Sequence, residues 1–593
     1  QYTFDGVKWT SQGSYASGFS DYFKLDYISG GFDGSTTTFS LSVNGQAVNP
    51  INAESLTISL GGVIQEPQVA YKIDATGTGT ITFQNEAPVN GTSFFGVLHS
   101  RTTLNNTSTT IGDGTITSAK IHPNGIAATN LSFTQNGIGV VARTVDSKLK
   151  DFVSVKDFGA VGNGTTDDTA AFQAAVNSIY PKIVVPDGSY LIDSADLTIP
   201  NQVSLVTMGD TTPDSTSRFT LDDRPVVIIL NDSRKINLQN GASLKGLTII
   251  QKTTYTALAA LASGEVLTIS NVNNYSGTAI ECGACPYIGY CLIIGFERAI
   301  DTVTANTPRG RLEYLMLDCI NGVRIDQDLG GWDLYNVHCG PVATNKNNSY
   351  TIPDTDNVRT GIGIEFKNLS DWSTVTNCFT FNNTGFKITE CNSIKFVGCG
   401  ADNPRTTTGT VGFSLNGTGT CRENMFIGCQ AASMPIGIYQ NVPNNQRNLF
   451  LNTVVWSCNR GIDIVGGDAS INSCSFRNIL NSSASTSDGY AIKMVNADSK
   501  VLVNDTRIDG QATGASSTYL PTGMAINLTG GDLHIDSCHF DNIKAKGIFI
   551  NDANAKVQIT DTRFIDMPVA IDSTAYSEVI TRNNFYESVP ILR

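Results

Sequence analysis

The sequence predicts an all-β protein whose main body is a solenoid of stacked parallel strands. A pattern of four positions recurs in the second half of the chain: a small residue, an apolar residue, any residue and a second apolar residue. It begins, for example, at Gly363, Gly385 and Gly412. These starts lie 22 and 27 residues apart, which is the period of one solenoid coil. Glycine is abundant at 56 residues and charged residues make up only 16% of the chain, a composition that favours strands and turns over long helices.

Length and charge limit the classes of function. A chain of 593 residues predicts two or three domains. The formal net charge of -14 argues against a nucleic-acid partner, because phosphate binding needs a basic field, and an acidic polysaccharide would need local Arg or Lys. The longest apolar runs are too short for a membrane span, so we expect a soluble protein without membrane insertion. The start at Gln1, without Met or a signal-peptide pattern, leaves open whether upstream residues are missing.

The first segment, residues 1–101, predicts a small β-rich domain. Strand-like runs such as residues 38–43, 56–60 and 80–83 are separated by Gly, Asn and Pro. Residues 102–150 are rich in Thr, Asn, Ser and Gly and contain few apolar side chains, so they cannot build a core of their own. We interpret 102–150 as a neck or linker.

Residues 153–193 predict a strand, a capped helix and a pair of strands in close succession. Thr165, Thr166, Asp167 and Asp168 supply side chains that can bind the free amides of a helix start. An apolar face then follows at helical spacing, and a proline, a β-branched run and a Pro-Asp-Gly turn come after it. The apolar face contains Phe172, Val176, Ile179 and Tyr180, the proline is Pro181, the β-branched run is 183–185 and the turn is 186–188.

Four motifs in this segment, in their order, resemble the beginning of the pectate-lyase-like right-handed parallel β-helix of many phage tailspikes. They are Asp157-Phe158-Gly159-Ala160, Gly162-Asn163-Gly164, Asp167-Asp168-Thr169 and Pro186-Asp187-Gly188-Ser189-Tyr190. Residues 142–150 resemble the junction that joins a virion-attachment segment to that β-helix. Residues 57–68 and 94–97 look similar to attachment domains of tail fibres, with a generic β-sandwich as the alternative.

The resemblance implies a bacteriophage tailspike or tail fibre located in the virion and acting outside the host cell. It implies that 1–101 attaches to phage tail proteins, that 151–593 forms the β-helix with a helix cap, and that the chain is a homotrimer. The partner and substrate implied are host capsule or lipopolysaccharide, cleaved by glycosidic hydrolysis. The alternatives are a receptor-binding fibre without catalysis and a polysaccharide lyase of the same fold.

The repeat predicts two registered strands per coil. The second strand would carry cysteines such as Cys378, Cys399 and Cys429, which we interpret as stacked and buried thiols. We expect most of them to be unpaired, because an odd total of thirteen cysteines cannot form a complete set of disulfides. Cys282, Cys285 and Cys291 could suggest a metal site, but no fourth ligand follows at zinc spacing, and we predict no metal and no cofactor. Recurrent asparagines, which favour left-handed turns, follow the first strand at Asn368, Asn416, Asn441, Asn496 and Asn551.

The same repeat predicts an outward-facing column of side chains, because alternate residues of a strand point to opposite faces. Carboxylates one coil apart would approach the separation of a retaining glycosidase, and two coils apart that of an inverting enzyme. The alternative is an exposed ladder of ion pairs of small energetic value. The column would contain Glu281, Arg324, Glu365, Lys387, Ser414, Tyr439, Asp463 and Lys493.

The region 326–405 concentrates carboxylates and aromatic residues, including two of the four tryptophans. We predict Asp333, Glu365 and Asp402 as catalytic residues. Trp332, Trp372 and Arg405 would bind sugar, because an exposed indole face can stack against a sugar ring. Packing of the tryptophans between coils and solvated turns at Asp333 and Asp402 are the alternatives. The ordered motif set of a polygalacturonase is missing, which disfavours pectin hydrolysis.

Overall fold

The computed structural model describes most of the chain. The described residues are 2–4, 9–11, 21–74, 79–100, 127–209, 226–261, 267, 272, 274–302, 309–327, 329–342, 359–368, 372–403, 410–479, 489–510, 524–543, 545–573 and 578–590. The chain divides into two compact units, Gln1–Ala127 and Ala128–Arg593. Within the described residues no helix is both long and apolar enough to cross a membrane.

The first unit is built from antiparallel strands around a small core. One sheet has the order β3-β11-β7-β8 and another the order β4-β10-β9, and buried Ile58, Tyr71 and Phe94 belong to their common core. Its strands are β1 (Tyr2–Phe4), β2 (Trp9–Ser11), β3 (Asp21–Lys24), β4 (Thr38–Ser40), β5 (Ser42–Val43), β6 (Gln46–Ala47), β7 (Leu56–Leu60), β8 (Val63–Gln65), β9 (Tyr71–Ile73), β10 (Thr80–Phe83) and β11 (Phe94–Ser100). Short 3-10 helices lie at Ser29–Gly31 and Ala53–Ser55.

The second unit opens with a short hairpin and three helical turns before its first coils. The elements in chain order are a 3-10 helix (Ala128–Asn130), β12 (Ser132–Phe133), β13 (Arg143–Thr144), α1 (Val145–Leu149), β14 (Val153–Ser154), a 3-10 helix (Val155–Phe158), β15 (Asn163–Asp167), α2 (Thr169–Val176), β16 (Lys182–Val185), β17 (Gly188–Ile192), β18 (Leu197–Ile199), β19 (Ser204–Thr207), β20 (Val226–Leu230), β21 (Ile236–Leu238), β22 (Ser243–Lys245), β23 (Thr248–Gln251), α3 (Lys252–Ala259), β24 (Thr278–Cys282), β25 (Tyr287–Gly289), β26 (Leu292–Ile294), β27 (Arg298–Thr302), β28 (Arg311–Asp318), β29 (Asn321–Asp326) and β30 (Asp333–Cys339).

The remaining coils contain strands only. They are β31 (Arg359–Lys367), β32 (Thr374–Thr376), β33 (Phe379–Thr380), β34 (Asn382–Thr389), β35 (Lys395–Val397), β36 (Gly400–Asp402), β37 (Val411–Asn416), β38 (Met425–Ile427), β39 (Gln430–Ala432), β40 (Ile436–Asn441), β41 (Arg447–Leu451), β42 (Val454–Trp456), β43 (Arg460–Gly466), β44 (Asp468–Asn472), β45 (Ser475–Arg477), β46 (Tyr490–Met494), β47 (Lys500–Asn504), β48 (Arg507–Asp509), β49 (Met524–Leu528), β50 (Asp532–Asp536), β51 (His539–Asp541), β52 (Lys546–Ile550), β53 (Lys556–Thr560), β54 (Arg563–Ile565), β55 (Val569–Ser573), β56 (Glu578–Arg582) and β57 (Phe585–Glu587).

These strands form a right-handed parallel β-helix with three strands per coil. A 14-stranded parallel sheet, from β18 to β55, is one face, which we call sheet 3. The 30-stranded sheet contains the other two faces, which share the long strands β28 and β30. Sheet 1 contains the first strand of each coil, such as β32, β35 and β38, and sheet 2 the second, such as β33, β36 and β39.

The prediction of two strands per repeat was therefore wrong. From β33 onward the strands of sheet 2 are only two or three residues long, and two residues separate each from the preceding strand of sheet 1, as between β53 and β54. In the sequence such a pair looks like one strand. The predicted cysteines lie at this corner, just before sheet 2.

The small residue of the repeat is required by the spacing between coils. A Cβ atom built on Gly385 would lie 2.6 Å from the carbonyl oxygen of Gly412 in the next coil and 2.7 Å from the Ala401 Cβ. A Cβ atom built on Gly363 would likewise lie 2.5 Å from Thr380 Cγ2. The pattern thus marks a strand of sheet 3. Its apolar residues, such as Phe386 and Phe413, point inward and stack in the core.

The helix cap is present, with its aspartates in more specific roles than predicted. The helix α2 begins after Asp168, and the Thr169 amide donates to Asp167 Oδ1 at 3.0 Å. The Asp168 carboxylate accepts from the amides of Val161 and Gly162 and so fixes the glycine turn. The predicted apolar face is confirmed at the buried Phe172 and Val176 but wrong at Ile179, which is exposed because α2 ends at Val176.

The cysteine prediction is confirmed in its main points. None of the thirteen cysteines forms a disulfide, and all but Cys285 are buried. Successive cysteines occupy equivalent places, since the Gly400 amide donates to the Cys378 carbonyl and the Gln430 amide to the Cys399 carbonyl. Among the described residues, no group of three or more His, Cys, Asp or Glu side chains is placed to hold a metal ion.

The asparagine prediction was mostly wrong. Of the five predicted positions only Asn368 has a positive φ, and Asn416 and Asn441 pair within sheet 3. The regular left-handed residues lie instead at the corner between sheets 1 and 2. From β32 onward that corner is a turn of two residues with one positive φ, whereas the other corners vary in length.

Candidate functional site

The outer surface of sheet 3 contains the predicted column. Register pairs Glu281 with Asp301, Asp301 with Arg324, Arg324 with Glu365 and Glu365 with Lys387. The column continues through Ser414, Tyr439, Asp463, Lys493 and Asn527. The prediction of one aligned column is confirmed. Asp301 was missed, although Ala299-Ile300-Asp301 fits the same sequence repeat.

The column is recessed at its acidic members and open at its basic ones. The side chains of Asp301 and Glu365 are 6% and 9% exposed, whereas those of Arg324 and Lys387 are 33% and 35% exposed. The basic side chains therefore cover the carboxylates with which they pair, and the cationic ends are accessible to a ligand. We call this surface the sheet-3 groove.

Ion pairs organise the first part of the sheet-3 groove. Arg324 donates from Nε and Nη2 to the two oxygens of Asp301, at 2.8 and 2.5 Å, a bidentate arrangement. Lys387 Nζ lies 3.3 Å from Glu365 Oε1. Arg298 stands beside them, and burial lowers the pKa of its guanidinium, with Arg324 lowering it further. Asp301 and Glu365 are two coils apart, about 9.6 Å between Cα atoms at the usual strand spacing.

A second cluster lies further along the sheet-3 groove. Asp463 is 7% exposed, and Arg460 Nη1 lies 3.4 Å from its Oδ2. Burial raises the pKa of Asp463 above its ordinary value of 3.8, even though Arg460 opposes the shift. A buried carboxyl with a raised pKa is a typical candidate for a proton donor. Tyr439, partly exposed one coil earlier, adds an aromatic surface.

The three predicted catalytic residues lie on three different faces. Asp333 begins β30 on the outside of sheet 1, Glu365 lies on sheet 3 and Asp402 ends β36 on sheet 2. The outer surfaces of the three sheets face away from each other, so these carboxylates cannot form one catalytic pair within a chain. Sequence proximity misled the prediction, because each coil sends consecutive residues to three faces.

Asp333 on sheet 1 and Asp402 on sheet 2 have different neighbours. Asp333 Oδ2 lies 3.8 Å from the guanidinium of Arg311, which also binds Glu313. Asp402 lines a depression of about 280 Å³ that Gly400 leaves between Phe379 and Gln430. Both residues remain proposals as ligand contacts.

The predicted sugar-binding residues have separate outcomes. Trp332 is 1% exposed and packs in the interior, so its prediction as an exposed platform was wrong. The reason is that Gly310 in the preceding coil leaves the space that the indole fills. Trp372 is exposed in the turn from β31 to β32, which leaves its role a prediction. Arg405 lies outside the described residues.

Sheet 2 carries a second carboxylate pair that was not predicted. Asp509 and Asp541 are paired in register one coil apart, and Arg507 Nη2 lies 3.3 Å from Asp509 and 3.6 Å from Asp541. Trp456, 37% exposed, stands two coils before Asp509 in the same column. The signal in the sequence was the repeat of a basic, an apolar and an acidic residue at 507–509 and 539–541.

Comparisons with known proteins agree with the fold and include phage proteins. Residues 152–274 match the family described as rhamnogalacturonase A/epimerase, pectate lyase-like. The chain is 41% identical over 71 residues to a pre-neck appendage protein of Bacillus phage B103, covering 12% of this chain and 8% of that protein. It is 28% identical over 174 residues to a capsule-specific depolymerase of Klebsiella phage K5-2, covering 26% and 21%.

Among solved structures, the tailspike protein of E. coli bacteriophage HK620 in complex with pentasaccharide aligns with a TM-score of 0.46 at 11% identity. That alignment covers 79% of this chain and 83% of the tailspike chain. The matched segments span about a tenth to a fifth of the length of the two curated phage relatives.

Proposed function

We propose that this protein is a phage tailspike that binds and cleaves a host-surface polysaccharide in the sheet-3 groove. The observation that carries the proposal is the pair Asp301 and Glu365, two coils apart on a recessed column with Arg324 between them. Their spacing, about 9.6 Å between Cα atoms, allows the roughly 6.5 to 9.5 Å between carboxyl groups that inverting hydrolysis uses.

The proposed roles follow from the partners of each carboxylate. Asp301, held by two charge-assisted hydrogen bonds from Arg324, activates the water. Glu365, whose side chain is almost covered and lies 3.3 Å from the amine of Lys387, donates a proton to the leaving oxygen. Arg324 and Lys387 bind anionic groups of the sugar, which supplies the local cations that an acidic chain needs for an acidic polysaccharide.

The rest of the proposal concerns assembly. The name of the pre-neck appendage protein supports a virion protein. We propose that its first unit attaches to other tail proteins and that its chains form a homotrimer, since closed cyclic symmetry is the usual outcome for identical chains. The test is mass photometry of the purified protein together with binding to phage particles that lack it. A stable monomer that fails to bind such particles would contradict this part.

The test of the activity is cleavage of host capsule and lipopolysaccharide, measured both as new reducing ends and as absorbance of unsaturated products. We expect reducing ends without unsaturation, and Glu365→Gln and Asp301→Asn to lower the rate about 10² to 10⁴-fold. Asp572→Asn is the matched control, because Asp572 lies in the same column and pairs with Lys546 at 2.7 Å. Unsaturated products would indicate the lyase, and binding without products the non-enzymatic fibre.

A second candidate site is the pair Asp509 and Asp541 on sheet 2. Carboxylates one coil apart approach the roughly 5 Å separation of retaining enzymes. The configuration of the first-formed product, followed by NMR, separates the two sites. Inversion with loss of activity in Glu365→Gln supports sheet 3, whereas retention with loss in Asp541→Asn would transfer the proposal to sheet 2.

A further inference from the structure

The corner between sheets 1 and 2 repeats one backbone conformation in successive coils. From Asn377 to Asp561 the amide of each corner residue donates to the carbonyl that precedes the next corner residue, as from Asn377 to Val397 and from Asn452 to Asn472, and Gly246 and Tyr290 make the same bond. Each corner residue has a positive φ near the left-handed region. The positions are Gly246, Tyr290, Tyr314, Asn336, Asn377, Gly398, Gly428, Asn452, Ser473, Asp505, Ser537, Asp561 and Asn583.

Two tyrosines stand out in this series. Every other corner residue named above is Gly, Asn, Ser or Asp, the types that suit the left-handed region or are small. Tyr290 and Tyr314 have φ values of 57° and 51°, a conformation that is unfavourable for a bulky side chain. Asn336 takes the same place in the next coil, so the turn itself does not need an aromatic residue.

The unfavourable backbone places two aromatic rings on the outside of the β-helix. The rings of Tyr290 and Tyr314 stack with centroids 4.9 Å apart, and Tyr335 meets Tyr314 edge-on at 5.3 Å. All three side chains remain partly exposed. Lys245 Nζ lies 5.1 Å from the Tyr290 ring centroid. We call these three tyrosines the tyrosine shelf.

Polar groups border the tyrosine shelf on sheet 1. The Tyr287 hydroxyl donates to Glu313 Oε1 at 2.5 Å, and Arg311 Nη2 lies 2.8 Å from Glu313 Oε2. Arg311 also approaches Asp333, whose side chain is 53% exposed. An aromatic face next to carboxylate and guanidinium groups offers both contacts that a pyranose ring uses, its C-H face and its hydroxyls.

We infer that the tyrosine shelf is a saccharide-binding site for a pyranose of the polysaccharide, separate from the sheet-3 groove. In a three-sided coil the corner between sheets 1 and 2 lies across from sheet 3, so one chain can bind the polymer at both places. Two linked sites raise the effective concentration of polymer at the groove. The identity of the polymer as a host-surface polysaccharide rests on the proposed function.

The test replaces both shelf residues at the corner with the residue that other coils use there. Tyr290→Asn with Tyr314→Asn removes the rings while keeping a residue suited to positive φ. We expect the full-length variant to have an unchanged or higher Tm and at least a tenfold weaker binding to a printed array of bacterial capsular and O-antigen oligosaccharides. Tyr290→Phe keeps the ring and should bind like the unmodified protein.

Three results would overturn the inference. The first is binding that the double Asn variant leaves intact. The second is a Tm that falls together with binding, which would show that the rings are structural. The third is the absence of binding to any oligosaccharide of the array. Cleavage is measured separately as reducing ends. Ring-dependent binding without any cleavage would keep the tyrosine shelf and reject the enzymatic function, whereas cleavage with ring-independent binding would do the reverse.

Discussion

At the scale of single residues, burial decides between chemical roles that the sequence leaves open. Trp332 and Trp372 both stand beside an aspartate in the sequence, yet one fills the interior and the other lies in solvent. Glu365 and Asp463 occupy equivalent outward positions but pair with different cations, Lys387 and Arg460, and burial raises the pKa of Asp463. A residue type in a strand predicts which face it points to and does not predict what covers it.

Asp463→Asn tests the raised pKa of Asp463. A carboxyl whose pKa is higher in the folded state stabilises the fold below its ordinary value of 3.8 and loses that contribution as the pH rises through the folded value. The Asn variant lacks this loss. We therefore expect the Tm of the variant minus that of the unmodified protein to increase between about pH 3 and pH 7. Thermal unfolding monitored by circular dichroism measures both Tm values. A relative Tm that falls with pH would mean that attraction to Arg460 outweighs burial.

At the scale of elements, the coil imposes two separate requirements on glycine. The small residue that begins each sheet-3 segment avoids the carbonyl of the next coil, whereas the corner between sheets 1 and 2 needs a positive φ. Gly385 belongs to the first class and Gly428 to the second. The repeat in the sequence revealed the first class, because its small residue is followed by apolar ones. The corner series was not recognised, since its members share a conformation and not a residue type.

Substitutions at these two glycines should have opposite results. Gly385→Ala brings a Cβ within 2.6 Å of the Gly412 carbonyl oxygen, and such overpacking costs about 1 to 3 kcal/mol of unfolding free energy. Gly428→Asn places its side chain in open space at φ 61°, so we expect an unchanged or slightly higher unfolding free energy. Guanidinium denaturation of both variants gives the comparison. Equal losses would refute the steric argument.

At the scale of the whole molecule, stacking creates a long interior that excludes water from groups spread over the sequence. Twelve of the thirteen cysteines are buried there, and burial raises the pKa of Cys291 and Cys538 to about 12. A buried thiol is rarely ionised and reacts slowly with disulfide reagents. The same stacking aligns outward residues into the sheet-3 groove.

We expect a disulfide reagent such as Ellman's to titrate one thiol per folded chain, that of Cys285, and thirteen after denaturation. Cys285→Ser should remove the fast reaction without changing the total released by the other twelve. Rapid titration of several thiols in the folded protein would show that the coils open locally. Release of fewer than thirteen after denaturation without reductant would instead indicate disulfides.

The sequence by itself determined the solenoid, the position of the helix cap, the outward column on sheet 3 and the burial of the cysteines. These features depend on local alternation and on a repeat that each coil satisfies with its neighbours, so a short window of residues contains them. Residues that a repeat does not constrain, such as Trp332, Ile179 and the left-handed tyrosines, could not be placed in this way.

Only the tertiary structure decided which carboxylates lie together. Asp301 and Glu365 are 64 residues apart in the sequence and two coils apart in space, whereas Asp333, Glu365 and Asp402 belong to three faces. The physical reason is that each coil turns the chain through three faces with corners and loops of unequal length. Neighbours across coils are therefore set by register between strands, which distance along the chain does not reveal.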